Sequence, residues 1–275
     1  MKKIKLVYGL LPLFLLAGCN NHQNCAYKKY SNKVEDTVFS TKCQEAIDDC
    51  SLLNVQEGTY FSFTFHMSNR TKTESYEKHN GKAYSRTTSD MTYGNSYKFD
   101  KNKVIFTKVD FTKMDSRNDT SRNIMESNET SQKQIDNDNI SVISVEEKTY
   151  YVDTPAESAA TDIKEEAMES FSNLISSVSS MPGMANPTMP GYIDGNTYTV
   201  IMTDSIIEND DSKTINKMLQ QVSISANKVK FINYYYSLNE DAESYSTNEM
   251  VNVYTLEKTD PKLAKISLNS LLLED

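Results

Sequence analysis

In Thr59-Tyr60-Phe61-Ser62-Phe63-Thr64-Phe65-His66-Met67, Phe61, Phe63, Phe65 and Met67 alternate with Tyr60, Ser62, Thr64 and His66. Successive side chains of a strand point to opposite faces, so Phe61, Phe63, Phe65 and Met67 share one face. This predicts a β-strand with a core on one side only, which suits an antiparallel sheet. Downstream, 71–78 and 82–89 read as partner strands around Asn80-Gly81, a turn pair that tolerates positive φ. Segments 95–99 and 103–111 follow, joined through Asp100-Lys101-Asn102, with Ile105, Val109 and Phe111 on one face.

Residues 112–139 break the pattern. Their only large apolar side chains are Met114, Ile124, Met125 and Ile135. They read as a long loop or as polar strands crossing the surface. Apolar alternation resumes at 140–145 and 148–152.

Two stretches carry a helical period. In 33–53, Val34, Val38, Cys43, Ala46, Ile47, Cys50 and Leu53 recur at helical spacing, with Asn32 as the expected cap. Thr154-Pro155-Ala156-Glu157 resembles a capping box with proline at the first helical position. Ile163, Ala167, Phe171, Leu174, Val178 and Met181 then form one apolar stripe, ended by Pro182-Gly183. Segment 182–195, rich in proline and glycine, reads as a rigid loop, a lid or a boundary. Beyond it, 197–203 is a strand and 212–222 a short helix carrying Ile215, Met218, Leu219 and Val222. Segments 228–238 and 245–258 form a hairpin around Asn239-Glu240-Asp241, and 263–268 a closing strand. Tyr234-Tyr235-Tyr236 must place tyrosines on both faces of its strand.

Motif chemistry is absent. The histidines are His22, His66 and His79, too scattered for a metal cluster. There is no His-Glu-x-x-His, Gly-x-Ser-x-Gly or Cys-x-x-Cys. The acidic runs at 48–49, 136–138 and 208–211 lack the glycine and distal glutamate of a helix-loop-helix calcium site, and read as solvated loops. Nothing calls for a cofactor or a metal, and the expectation is a protein that is not an enzyme.

The first residues set the location. Lys2, Lys3 and Lys5 precede an apolar run from Leu6 to Leu16, closed by Ala17-Gly18 before Cys19. That is the layout of a secretory signal peptide. Its 11 apolar residues fall short of the roughly 20 that span a bilayer. Leu16-Ala17-Gly18-Cys19 resembles the lipobox of bacterial lipoproteins. The resemblance implies cleavage before Cys19 and a diacylglycerol thioether on its Sγ. Residues 1–18 are then the signal peptide, 19–32 the lipidated cysteine and polar tether, and 33–275 a single domain. The expected location is the extracytoplasmic face of a bacterial membrane, held by lipid. The formal charge of −9 becomes −12 once Lys2, Lys3 and Lys5 are removed, which argues against a nucleic-acid partner. With Cys19 committed, Cys25, Cys43 and Cys50 remain. On one helix, Cys43 and Cys50 lie about 10 Å apart, beyond disulfide reach. Either Cys25 bridges to one of them or all three are small buried hydrophobes.

The order of elements also resembles the LolA- and LppX-type lipoprotein superfamily. The helix-to-strand entry from Ala46-Ile47 through Gly58 to Phe65 and the late strand, helix and hairpin of 197–258 carry the likeness. It implies an α+β fold: a strongly curved antiparallel sheet, a half-barrel, with helices packed on its concave face. It also implies an acyl-chain or lipid-like ligand. Candidate cavity residues are Phe61, Phe63, Phe65, Ile105, Val109, Phe111, Ile163, Phe171, Leu174 and Val178. More often such stripes are simply a core face against a helix. The leading expectation is a lipid-anchored binding protein for a hydrophobic ligand. The alternative is a surface interaction protein with a packed core and a protein partner.

Overall fold

The computed structural model describes residues 30, 32–53, 62–79, 82–100, 103–136, 139–146 and 169–260. Helix α1 is Asp36–Asp48. Strands β1 (Ser62–His79), β2 (Lys82–Asp100), β3 (Lys103–Asn118), β4 (Arg122–Asp136) and β5 (Asn139–Glu146) follow as antiparallel hairpins. A second helix, α2, is described over 169–180 and runs into a 3₁₀ turn, Met181–Gly183. Then come β6 (Gly191–Asp194), β7 (Thr197–Glu208), β8 (Ser212–Ser225), β9 (Lys228–Asp241) and β10 (Ser244–Asp260). All ten strands belong to one antiparallel sheet of order β5-β4-β3-β2-β1-β10-β9-β8-β7-β6. It is two five-stranded meanders joined where β1 pairs with β10, with β5 and β6 as its outermost named strands and Lys33 bridging Tyr192 on the outer side of β6.

From Ser62 on, the strand read from 59–67 lies in the inner strand β1, which also takes in 71–78, expected as a separate partner strand, and its alternation decides which face carries the core. Phe65 stands opposite Leu256 of β10, and Leu256 opposite Val229 of β9. Next along, Tyr254, Phe231 and Val222 stand in line. Helix α1 presents Phe39, Cys43 and Ile47, four residues apart, and α2 presents Phe171, Leu174 and Val178. These side chains form one buried cluster with Phe65, Leu256, Val229, Phe231 and Val222. Each large apolar side chain fully removed from water contributes about 1.5–3 kcal/mol.

Several expectations change. Residues 212–222 are strand β8, not helix; Ile215 and Leu219 are buried on one face and Val222 and Ile224 on the other. Residues 112–139 are mainly the long polar strands β3 and β4 rather than a loop. Asn32 does not cap α1. Glu35 precedes the helix without a side-chain cap bond, and the Asn32 carbonyl accepts from Ile193 N at 3.2 Å. Segment 182–195 runs through a 3₁₀ turn into strand β6 at the sheet edge: Val34 N donates to Gly191 O, and Ile201 N to Pro190 O. Asn186 Oδ1 accepts from Thr188 N and Met189 N, closing the turn at Pro187. Gly195, at φ 57°, supplies the left-handed residue of the β6–β7 hairpin. The readings at 80–81, 148–152, 154–157 and 263–268, and Cys25, lie outside the described residues.

Cys43 and Cys50 are buried, and Cys50 Sγ donates to Ser225 O at 3.8 Å. Burial pushes the Cys43 thiol up to about 12. Since the thiolate is the nucleophile, Cys43 should not be alkylated by iodoacetamide at pH 8 in the folded chain, and Cys50, 3% exposed, should be shielded by burial alone. Both should react in denaturant, with mass spectrometry reading each site; rapid native labelling of either would contradict its burial.

The polar hairpin β3–β4 is held by charge. Arg117 and Arg122 both donate to Asp115, with Nη2 to Oδ2 distances of 2.7 and 2.8 Å. They hold the Asp115 carboxyl well below the usual carboxylate range. The unfolded carboxyl takes its proton first, near pH 4. The stabilisation is therefore complete above about pH 4 and is lost as pH falls through the lower folded value. Denaturation of Asp115→Asn and the parent should differ at neutral pH and converge in strong acid, with salt narrowing the gap.

Candidate binding face

The candidate cavity residues divide. Phe65, Phe171, Leu174 and Val178 meet in the buried cluster, each at most 6% exposed. They are core. Phe111 is half-buried and stands opposite Thr92, which stands opposite Arg70, on the face away from Phe65. Positions 105 and 109 share its ladder parity. The grouping of β3 with Phe65 is therefore corrected. Asp100 pairs with Lys103, so even positions of β2 face odd positions of β3, and register follows from that turn. Phe63, Ile105 and Val109 lie in β1 and β3, but their side chains fall outside the described part. Cys19, Phe61 and Ile163 fall outside it altogether.

Beyond the cluster, the same face of β8, β9, β10, β1 and β2 continues in ladder rungs. The first is Gln220, Asn233, Asn252, Asn69 and Tyr93. The second is Met218, Tyr235, Met250, Thr71 and Met91. The third is Asn216, Ser237, Asn248, Thr73 and Ser89, and the fourth Thr214, Asn239, Ser246, Ser75 and Thr87. None of these side chains is charged. Most charges of the same strands lie on the other face, where Arg70 pairs with Asp90, Lys217 with Asp204 and Lys228 with Glu257; Asp241 and Glu77 follow beyond the fourth rung on this face.

Hydrogen bonds run along the rungs. Asn69 Nδ2 donates to Asn252 Oδ1, and Thr71 Oγ1 to Asn69 Oδ1 at 3.0 Å. Thr73 and Ser89 hydroxyls are 2.6 Å apart. Gln220 Oε1, Asn233 Oδ1 and Asn248 Oδ1 are covered but have no hydrogen-bond partner. Such orphan acceptors cost about 1–3 kcal/mol each and call for an explanation. Met91 and Tyr93 are exposed at one end of the rungs, and Met218, Tyr235 and Met250 are half-buried between. The face thus offers flexible thioethers and tyrosine rings beside neutral amides.

Hydrophobic periodicity passes over these residues because both faces of the strands are polar. The available signal is charge alternation: Arg70, Lys72 and Glu74 interleave with Thr71, Thr73 and Ser75. His66, on the charged face, lies half-buried near Gly94, and burial lowers its pKa.

No protein-family profile matches this chain, and no curated protein does. Similar solved structures are distant. A putative AttH from Nitrosomonas europaea aligns at 5% identity and TM-score 0.18, over 74% of this chain and 53% of that one. The chain thus spans about half the length of that protein. Ail, the attachment invasion locus protein of Yersinia pestis, aligns at 8% identity and TM-score 0.15, over 73% of this chain and 99% of that one. The translocator domain of the autotransporter NalP from Neisseria meningitidis aligns at 6% identity and TM-score 0.17, over 81% of this chain and 97% of that one. Alignments this loose establish neither a family nor an activity.

Proposed function

We propose that this chain is a non-enzymatic, lipid-anchored extracytoplasmic binding protein for a hydrophobic, lipid-like ligand. In this reading it is a LolA- and LppX-like half-barrel, with α1 and α2 on the concave face. The ligand lies on the rungs between Met218 and Met91, not among the closed core residues. The observation that carries the reading is the four-rung uncharged face, in a chain that is 24% charged. Met218, Met250, Met91 and Tyr235 give an acyl chain an adaptable apolar bed. Apolar area buried there contributes roughly 25 cal/mol per Å². The amide rung beside it hydrogen-bonds an uncharged polar group of the ligand.

The test is lipid mass spectrometry on residues 20–275, purified without detergent and extracted with organic solvent. A stoichiometric apolar molecule, displaced by fluorescent fatty acid, is the expected result. A clean protein that takes up no fatty acid would overturn the binding reading. The anchor is tested separately. Cys19→Ser should abolish palmitate incorporation and release the chain from the membrane fraction, because one thioether-linked diacylglycerol supplies both chains needed for stable anchoring. Continued sedimentation with membranes would sink it. The alternative of a surface interaction protein is favoured by one feature, the exposed apolar side chains at the sheet edges.

A further inference from the structure

The two edges of the sheet are unevenly covered. Strand β5 pairs only with Thr130–Asp136 of β4, leaving residues 122–129 open on that side among the described residues. Strand β6, bridged to Lys33 on its outer side, covers only Thr197–Val200 of β7, and Pro190 O accepts from Ile201 N. No described strand covers the outer side of β7 from residue 204 to 208. Both open stretches lie at the end of the sheet that holds the β3–β4 and β7–β8 turns, away from the buried cluster.

Each open stretch carries two adjacent large apolar residues. Ile124 is 49% and Met125 54% exposed; Ile206 is 58% and Ile207 62% exposed. Adjacent residues point to opposite faces, so both faces of each edge are apolar at its rim. The charges that usually protect an edge are engaged inward. Asp204 and Glu208 pair with Lys217 and Lys213 of β8, and Arg122 and Glu126 with Asp115 and Lys113 of β3. An exposed apolar edge whose described charges are paired inward is a template for strand addition.

We propose that these edges are an interface with a second copy of this chain, β7 of one pairing antiparallel with β4 of the other. The two edges complement each other. With Ile206 opposite Ile124, face parity is kept, Ser205 meets Met125, and Glu208 meets Arg122. Within one chain, six strands stand between β4 and β7. In a two-fold pair, the open stretch of β7 and the open stretch of β4 of each copy are both used, so the contact closes on two copies.

The test is disulfide trapping with the full chain in membranes. Ile206→Cys and Ile124→Cys chains, carrying different tags, are co-expressed and oxidised, with the unsubstituted chain and an Ile206→Cys/Thr87→Cys pair as controls. A mixed disulfide of both tags, at least about tenfold above the controls, is expected. Adding Ile207→Lys and Met125→Lys should remove it. These positions are exposed, so the fold should be kept, and circular dichroism checks that. Absence of the mixed product overturns the proposal. So does a disulfide that forms only inside one chain when both cysteines are placed together, which means the sheet closes on itself.

Discussion

Phe39→Ala should lower the unfolding free energy by about 3–5 kcal/mol, as loss of a fully enclosed ring does elsewhere. The ring has no exposed surface and meets Tyr198 edge-on, with centroids 6.1 Å apart and planes at 82°. Its other neighbour is Gly191, at the start of β6. A Cβ added there would sit 2.5 Å from Phe39 Cδ2 and 2.6 Å from Cγ. Gly191→Ala should therefore cost about 1–3 kcal/mol through overpacking. The cause is contact and not backbone strain, unlike Gly195 with its positive φ. The two substitutions should compensate. In the double variant the methyl group enters space the ring has left, so the loss is smaller than the sum by about 1 kcal/mol or more. Urea denaturation of the four chains measures this coupling. Strict additivity would mean that α1 does not rest on β6 through this pair.

The parts of the fold legible in the sequence are those where one face is apolar and the other is not. Phe65 beside His66 in β1, and Phe171, Leu174 and Val178 in α2, announce their periods directly. Strand β8 shows why the rest is hidden. Ile215 and Leu219 are buried on one face and Val222 and Ile224 on the other. A strand covered on both sides loses its alternation. Ile215, Met218, Leu219 and Val222 then happen to fall at helical spacing. The polar run of 112–139, in β3 and β4, reads ambiguously as loop or strand for the opposite reason. Their cohesion comes from ladder bonds and cross-strand charges such as Arg122 with Asp115, which hydropathy does not register. The candidate site inherits both problems. Phe111 sits on the face away from Phe65 because a turn sets register, and the amide rungs carry no apolar period at all.

Replacing Gln220 and Asn233 together by leucine should stabilise the protein while weakening its hold on a ligand. Each amide oxygen is covered and lacks a hydrogen-bond partner, a cost of about 1–3 kcal/mol apiece that an apolar side chain of similar size does not incur. Leucines there would extend the row of Val222 and Phe231, the positions two residues along the same faces of β8 and β9. A gain of about 1–2 kcal/mol in urea denaturation is expected after the lost amide donors are set against it. If these amides serve the ligand, affinity for the extracted lipid should fall by about tenfold or more, since a group built to hydrogen-bond is lost. Stability gained and binding lost in one variant is the signature of residues kept for function at the expense of the fold. A loss of stability would mean that the two oxygens are bonded in the folded protein, making the rung a structural network. Stability gained with binding unchanged would place the ligand elsewhere than the amide rung.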